Sequence, residues 1–580
     1  MQTLNEVSQT CPQCCCCSCT TPFFNSPTSQ QHNTAPKIRN SSAEWRHSFA
    51  VTTTSSIFPN TQFTNHESLP SLHESFNEFT KAYTQYSETE QVDHVRAKDY
   101  SHLSLSNQTC LDYIGIGLFS YSQLQHHETS KGQVPSSSIP QTPPNYSDIP
   151  FFSLSCKTGS LKTLLLHGGQ DTEFEAAMRK RIMSFLNVSE NDYFMVFTAN
   201  RTSAFKLVAD SYQFQTSRRL LTVYDYESEA VEVMISSSEK RGARAMSAEF
   251  SWPRLRIQTT KLRKMIESKR KKKKKRKGLF VLPLSSRVTG AKYPYLWMSI
   301  AQEIGWHVLV DACALGPKDM DCFGLSLFQP DFLICSFYKV FGENPSGFGC
   351  LFIKKSAISS LESYPSAGIV NLMILLALTW NLKTNHHQHA YMKRNYFLYH
   401  ISQLLNVLKL RRCLDQVDSL GLILITNRSR YLINWLVNSM RKLKHPNTQG
   451  VHLVKIYGPK VKFDRGPALA FNIYDWKGER VEPALVQKLA DRSNISISYA
   501  FLHHIWFADK YAEEKGKVLQ TKVVGGQEGV MTTTNKKDSF LANFEDVYKL
   551  WAFVARFLDA DFVEKERWRY IAINQKIVEV

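Results

Sequence analysis

From about residue 170 to residue 353, short apolar runs alternate with stretches of helical periodicity, and no other feature limits the fold as strongly. Helices are expected over Thr172–Leu186, Ser203–Tyr212 and Ser228–Lys240, with strands at Tyr193–Thr198 and Arg219–Tyr224 between them. Further strands fit Gly278–Leu284, His307–Asp311, Asp331–Ser336 and Phe348–Ile353, and a helix fits Tyr293–Ile304. Short β-rich runs separated by helices predict an α/β fold with a mainly parallel sheet covered on both faces. Ligands of such sheets sit at the carboxyl ends of the strands.

After about residue 376 the pattern changes to α+β. Strands are expected at Leu422–Thr426, Val451–Ile456 and Ala468–Tyr474, a turn at Asp475–Gly478, and helices at Pro483–Asp491 and Phe544–Leu558. The N-terminal part is rich in Ser, Thr, Gln, Asn and Pro, with a helix expected at Ser75–Ser87 and a strand and turn at Asp112–Gly117. The chain therefore divides into a low-complexity, disordered leader (1–75) and a segment with a linker that completes the small domain (76–150). A ligand-binding large domain (151–375) and a smaller C-terminal domain (376–580) follow. The most apolar segment, Ile369–Leu382, is too short to span a bilayer and is expected to be a buried helix, so no membrane is implied.

The formal net charge is +19, but nine consecutive basic residues, Lys269–Lys277, account for nearly half of it. That run reads as a solvated loop between a helix (Thr260–Ser268) and a strand. The alternatives are a nuclear-localisation signal or a contact to a phosphate backbone. No aromatic residues interleave with it, which weakens the nucleic-acid reading. Of thirteen cysteines, six lie between Cys11 and Cys19 without a second ligand pair at zinc spacing. The other seven are scattered as in a reduced protein, and no secretory signal is visible. A cytoplasmic location is expected, with a nuclear one open through Lys269–Lys277.

Two residues carry chemistry. Asp311 ends the apolar run Trp306–Asp311, and Lys339 follows the run that ends at Ser336. A carboxylate and an amine at neighbouring strand ends suit pyridoxal 5′-phosphate: the amine condenses with the aldehyde, and the acid keeps the ring nitrogen protonated. The stretch Thr198-Ala-Asn200-Arg-Thr202-Ser203, between a strand and a helix, offers amides and hydroxyls to a phosphate. The pairs His503-His504 and His386-His387-Gln-His389 lack ligand partners at metal spacing, so no metal is expected.

These residues resemble a known family. Asp311-Ala-Cys-Ala, Pro330-Asp-Phe-Leu-Ile-Cys-Ser-Phe-Tyr-Lys339 and Gly347-Phe-Gly-Cys-Leu-Phe-Ile look like the N-terminal domain of molybdenum cofactor sulfurases, within the class V aminotransferase superfamily. Pro283-Leu-Ser-Ser-Arg-Val-Thr-Gly290, Val196-Phe-Thr-Ala-Asn-Arg-Thr-Ser and Leu111-Asp-Tyr support the likeness. An ending such as Asn543-Phe-Glu-Asp-Val-Tyr-Lys-Leu-Trp is similar to that of plant sulfurase-like members. The resemblance spans roughly residues 80 to 580. It implies pyridoxal-phosphate fold type I and a homodimer acting on a small amino acid, cysteine in the desulfurase members. By the same resemblance Lys339 would hold the cofactor and Asp311 would pair with the ring nitrogen. Asn200, Thr202 and Ser336 would lie near the phosphate, and Tyr226 would stand near the place of the stacking histidine.

The sequence departs from that pattern in its sulfur carrier. The stretch Ile497-Ser-Tyr-Ala500-Phe501-Leu502-His503-His504 falls where the family has a cysteine-containing loop, and no cysteine follows Cys413. Imidazole moves protons but cannot hold a persulfide. Asn200 also replaces a phosphate-loop glycine, and no counterpart of the second sulfurase domain is expected in the 580 residues. Three readings follow: a sulfurase-like transferase or lyase lacking its persulfide cysteine, a non-catalytic interaction module that keeps the fold, or a nuclear nucleic-acid-binding protein using 269–277.

Overall fold

The computed structural model describes residues 41–100, 109–111, 153–169, 172–267, 278–313, 328–337, 348–373, 418–446, 451–521, 528–536 and 541–578. A nine-stranded sheet forms its larger lobe. In chain order the strands are β1 (Ser153–Ser160), β2 (Tyr193–Thr198), β3 (Arg219–Thr222), β4 (Arg244–Ser247) and β5 (Gly278–Pro283). They continue as β6 (His307–Asp311), β7 (Phe332–Ser336), β8 (Gly349–Lys354) and β9 (Pro365–Met373). Their spatial order is β1-β9-β2-β8-β7-β6-β5-β3-β4. The strands from β7 to β4 pair in parallel, whereas β8 and β9 run against their neighbours. The α/β class and the mainly parallel sheet are thus as expected.

Helices cover this sheet, which is why its central strands read as continuous apolar runs. Every residue of β5 and β6 is buried. Three strands, β1, β4 and β9, were not expected from the sequence. Of the apolar segment read as a buried helix, residues 369–373 belong to β9, where Ile369 pairs with Thr198 of β2; residues 374–382 lie outside the described residues. Periodicity alone does not separate a short buried strand from a helical turn, and here pairing with β1 and β2 decides.

The smaller lobe is built on an antiparallel sheet of β10 (Val454–Tyr457), β11 (Ala468–Ile473), β12 (Ser498–His503) and β13 (Glu528–Lys536). Their order is β10-β11-β13-β12, with Gln520–Thr521 added on β13. Leu422–Thr426, expected as a strand, opens the helix Leu422–Arg441. Leu432, Trp435, Leu436 and Met440 recur at helical spacing and are fully buried, so packing on one face settles the conformation of an ambiguous apolar run.

The core of this lobe draws on both ends of the chain. Ile57, Phe58, Phe63, Phe79 and Tyr86 pack with Trp435, Phe544 and Trp551. Arg428 ties the two ends together: it donates to both oxygens of Asp93 at 3.0 and 2.5 Å and to the Ala542 carbonyl at 2.8 Å. Among the described residues the first element is the helix Ser41–Ser56, which falls within the stretch expected as leader. Its few aromatics are inconspicuous in a polar stretch and acquire meaning only against Trp551. Cys11–Cys19, Asp112–Gly117, Lys269–Lys277 and His386–His389 lie outside the described residues. Among the described residues, no helix is long and apolar enough to cross a membrane.

Candidate active site

Because β2, β3, β5, β6 and β7 point the same way, their carboxyl ends share one edge of the sheet. That edge gathers Thr198–Ser203, Tyr224–Ser228, Ser285–Gly290, Asp311–Cys313 and Ser336. Asp311 ends β6 and is fully buried. Its Oδ2 accepts from Arg201 Nη2 at 2.6 Å and from the Tyr224 hydroxyl at 2.9 Å; its Oδ1 accepts from the Cys313 amide at 3.0 Å. Burial pushes the carboxyl upward, but the Arg201 charge and these hydrogen bonds outweigh it and hold Asp311 below the usual carboxylate range. An ionised acid therefore stands at the strand end.

Arg201 opens the helix Arg201–Ser211, which directly follows β2. Asn200 caps that helix, its side chain accepting from the Ser203 amide at 2.8 Å. The amides of Arg201 and Thr202 lie in the same first turn, where helix geometry leaves amides outside the intrahelical ladder and an anion is favoured. The helix crosses the sheet toward β7, β8 and β9. Gly349 permits the close fit of β8 beneath this turn. A Cβ there would lie 2.6 Å from Thr198 Oγ1 and 2.9 Å from the Asn200 carbonyl. Gly349→Ala is expected to cost about 1–3 kcal/mol through overpacking and to disturb the turn. Thermal unfolding checks this, and an unchanged midpoint would contradict it.

The segment after β3 faces the smaller lobe. The Glu227 amide donates to the Phe501 carbonyl at 2.8 Å, and the His503 amide to the Asp225 carbonyl at 3.2 Å. Asp225 is fully buried and accepts 2.7 Å hydrogen bonds from Ser286 and Thr289. Tyr226 is buried beside the Asp311–Arg201 pair, and its hydroxyl has no hydrogen-bond partner among the described residues. The Arg287 Nε is also buried and unpartnered, and its charge acts on both Asp311 and Tyr226.

Of the residues singled out in the sequence, Asp311, Asn200, Thr202, Tyr226 and Ser336 are gathered at this edge. Lys339 lies outside the described residues, three positions beyond the end of β7. Sequence reasoning missed Tyr224 and Arg287, and it noted Arg201 without giving it Asp311 as a partner. The two are 110 positions apart, and only an arginine in the first turn of a helix after a strand hinted at an anion. The site fits the expected cofactor in two respects: the first-turn amides of the helix Arg201–Ser211 suit a phosphate, and a buried hydroxyl without a partner among the described residues lies near an ionised acid. Among the described residues no cluster of three potential metal ligands occurs.

Two curated relatives are similar along much of the chain, and both are named molybdenum cofactor sulfurase. The one from Aspergillus fumigatus is 24% identical over 448 residues, covering 74% of this chain and 47% of that protein. The one from Caenorhabditis elegans is 25% identical over 368 residues, covering 60% and 48%. The chain spans about half the length of the curated relatives it matches. Among solved structures, the cysteine desulfurase CsdA of Escherichia coli matches with a TM-score of 0.49 at 15% identity, over 80% of this chain and 98% of that one. The family profile for aminotransferase class-V, a family built around pyridoxal 5′-phosphate, matches residues 166–498, more than half of the chain, and the protein belongs to that family.

Proposed function

We propose that this protein holds pyridoxal 5′-phosphate at the carboxyl edge of its large sheet and acts on a small amino acid, as a transferase or lyase of the molybdenum cofactor sulfurase type. One observation carries the reading: an ionised, buried Asp311 shares its sheet edge with the N-terminus of the helix Arg201–Ser211. When bound, the cofactor supplies an aldehyde for an amine and a ring that accepts electrons. The first-turn amides, with Asn200, Thr202 and Ser336, would hold its phosphate. Tyr226 would lie against its ring, and Lys339 would hold its aldehyde. By the same likeness the protein would be a homodimer.

Cysteine is the substrate that the family resemblance suggests, yet no cysteine follows Cys413, so none falls in the stretch 497–504 where the resemblance puts the sulfur carrier. Strand β12 carries Phe501 and His503, and His504 follows it, in the stretch that the resemblance matches to the family's cysteine-containing loop. Burial, reinforced by the neighbouring His503, lowers His504 to about 4 despite Glu249, so it is neutral near pH 7. The thiols of Cys313, Cys335 and Cys350 at the large sheet are pushed up by burial and are poor nucleophiles. Sulfur released here would pass to an acceptor other than a cysteine of the stretch 497–504.

The purified protein should show a visible absorption band with added cofactor, and Lys339→Ala should abolish it. Absence of any lysine-dependent band would overturn the cofactor reading. Incubation with L-cysteine, followed by assays for alanine and sulfide, tests catalysis separately. A second reading, a non-catalytic member that keeps the pocket, is favoured by the Arg201–Asp311 ion pair. Binding of the cofactor without turnover of any amino acid would support it.

A further inference from the structure

Arg201 belongs to both ends of the proposed cofactor site. Its backbone lies in the first turn of the helix that would receive the phosphate, and its guanidinium lies on Asp311, the proposed partner of the ring nitrogen. One residue thus links the helix turn to the carboxylate. It is held there at several points. Nη2 and Nε reach Asp311 Oδ2 at 2.6 and 3.3 Å, Nη1 donates to Ser228 Oγ at 3.0 Å, and the guanidinium carbon lies 4.9 Å from the Phe205 ring centre. The side chain is only 12% exposed.

The carboxylate has little capacity left. An ionised carboxylate offers about four lone-pair directions. Arg201, the Tyr224 hydroxyl and the Cys313 amide engage both oxygens of Asp311. A ring nitrogen would have to displace one of them. The guanidinium is permanently charged and meets the carboxylate through a planar fork, whereas a pyridine nitrogen is a weak base that must first take a proton. In competition for one buried carboxylate, the guanidinium holds the advantage.

We infer that Arg201 keeps Asp311 for itself, so that this pocket accepts pyridoxal phosphate without a protonated ring nitrogen paired to Asp311. The inference rests on the proposed cofactor reading and sharpens it. A ring not protonated by Asp311 withdraws electrons more weakly, so the site suits chemistry that demands less of the ring as an electron sink. Arg201 thereby becomes a residue that sets reaction class.

The test compares binding of pyridoxal phosphate with binding of its 1-deaza analogue, which carries C–H in place of the ring nitrogen. Dissociation constants are measured by equilibrium dialysis with the full-length chain. The wild type is expected to bind the two within about threefold, because no contact to the nitrogen is lost. In Arg201→Met, Asp311 is released and pyridoxal phosphate should be favoured by about tenfold or more, as for a hydrogen bond to a charged group. Arg201→Gln, which keeps a donor but removes the charge, carries the same comparison if the methionine variant folds poorly. A preference for pyridoxal phosphate that is equal in wild type and variants would overturn the role of Arg201 alone. Failure of every protein to bind either compound would overturn the cofactor reading, and this inference with it.

Discussion

Asp311→Ala is expected to destabilise the protein by about 3–5 kcal/mol, the cost of leaving one partner of a buried ion pair uncompensated. The partner is Arg201, bound to Asp311 at 2.6 Å with side-chain exposures of 12% and 1%. The Tyr224 hydroxyl and the Cys313 amide lose their acceptor at the same time. Urea unfolding of wild type and variant at neutral pH measures the effect, and a difference below about 1 kcal/mol would show that the pair is not buried as described. Asp311→Asn combined with Arg201→Met should cost less than Asp311→Ala, because neither charge remains unpaired.

The pH dependence follows from the direction of the shift. Asp311 is held below its ordinary value in the folded protein. Its contribution is therefore present above the unfolded carboxylate range of about 3.9 and is lost as pH falls through the lower folded value. The stability difference between wild type and Asp311→Ala should be constant from neutral pH down to about 5 and shrink on further acidification. A difference that grew with acid would contradict the assignment.

Trp551→Ala should have an effect of similar size in the other lobe, about 3–5 kcal/mol. Trp551 is fully buried and meets Phe58 at 5.7 Å, Phe63 at 5.2 Å and Trp435 at 5.5 Å between ring centres. It therefore joins the N-terminal segment to the C-terminal helices, and its loss opens a cavity where three parts of the chain converge. Limited proteolysis should then cut the segment around residues 58–70 faster, alongside the drop in urea midpoint. Trp568→Ala is the control: it is 72% exposed and should change stability by less than about 0.5 kcal/mol. Equal effects from the two tryptophans would refute the shared core.

Much of the large lobe was legible in the residues. Tyr193–Thr198 and His307–Asp311 form strands with the expected bounds, and Thr172 caps the helix Glu173–Phe185 as a threonine before an acidic first turn should. Strand β9 and the helix Leu422–Arg441 were not legible, for a common reason. Each contains a short apolar run whose periodicity fits more than one conformation, and each is decided by what it packs against. The packing of residues 57–63 was hidden similarly, since Phe58 and Phe63 stand in polar surroundings and find a partner in Trp551 almost 500 residues later.

At the candidate site, the sequence by itself determined that a lone acid ends an apolar strand, that a lysine follows a neighbouring one, and that no cysteine follows Cys413. Those are local facts, set by residue type and position along an element. Only the tertiary structure decided what Asp311 meets. Parallel strands bring their carboxyl ends to one edge whatever their separation in the chain, and so they deliver Arg201 from one connection and Tyr224 from another to a single carboxylate. Pairing of charges depends on distance in space and on exclusion of water, and neither can be read from spacing along the chain.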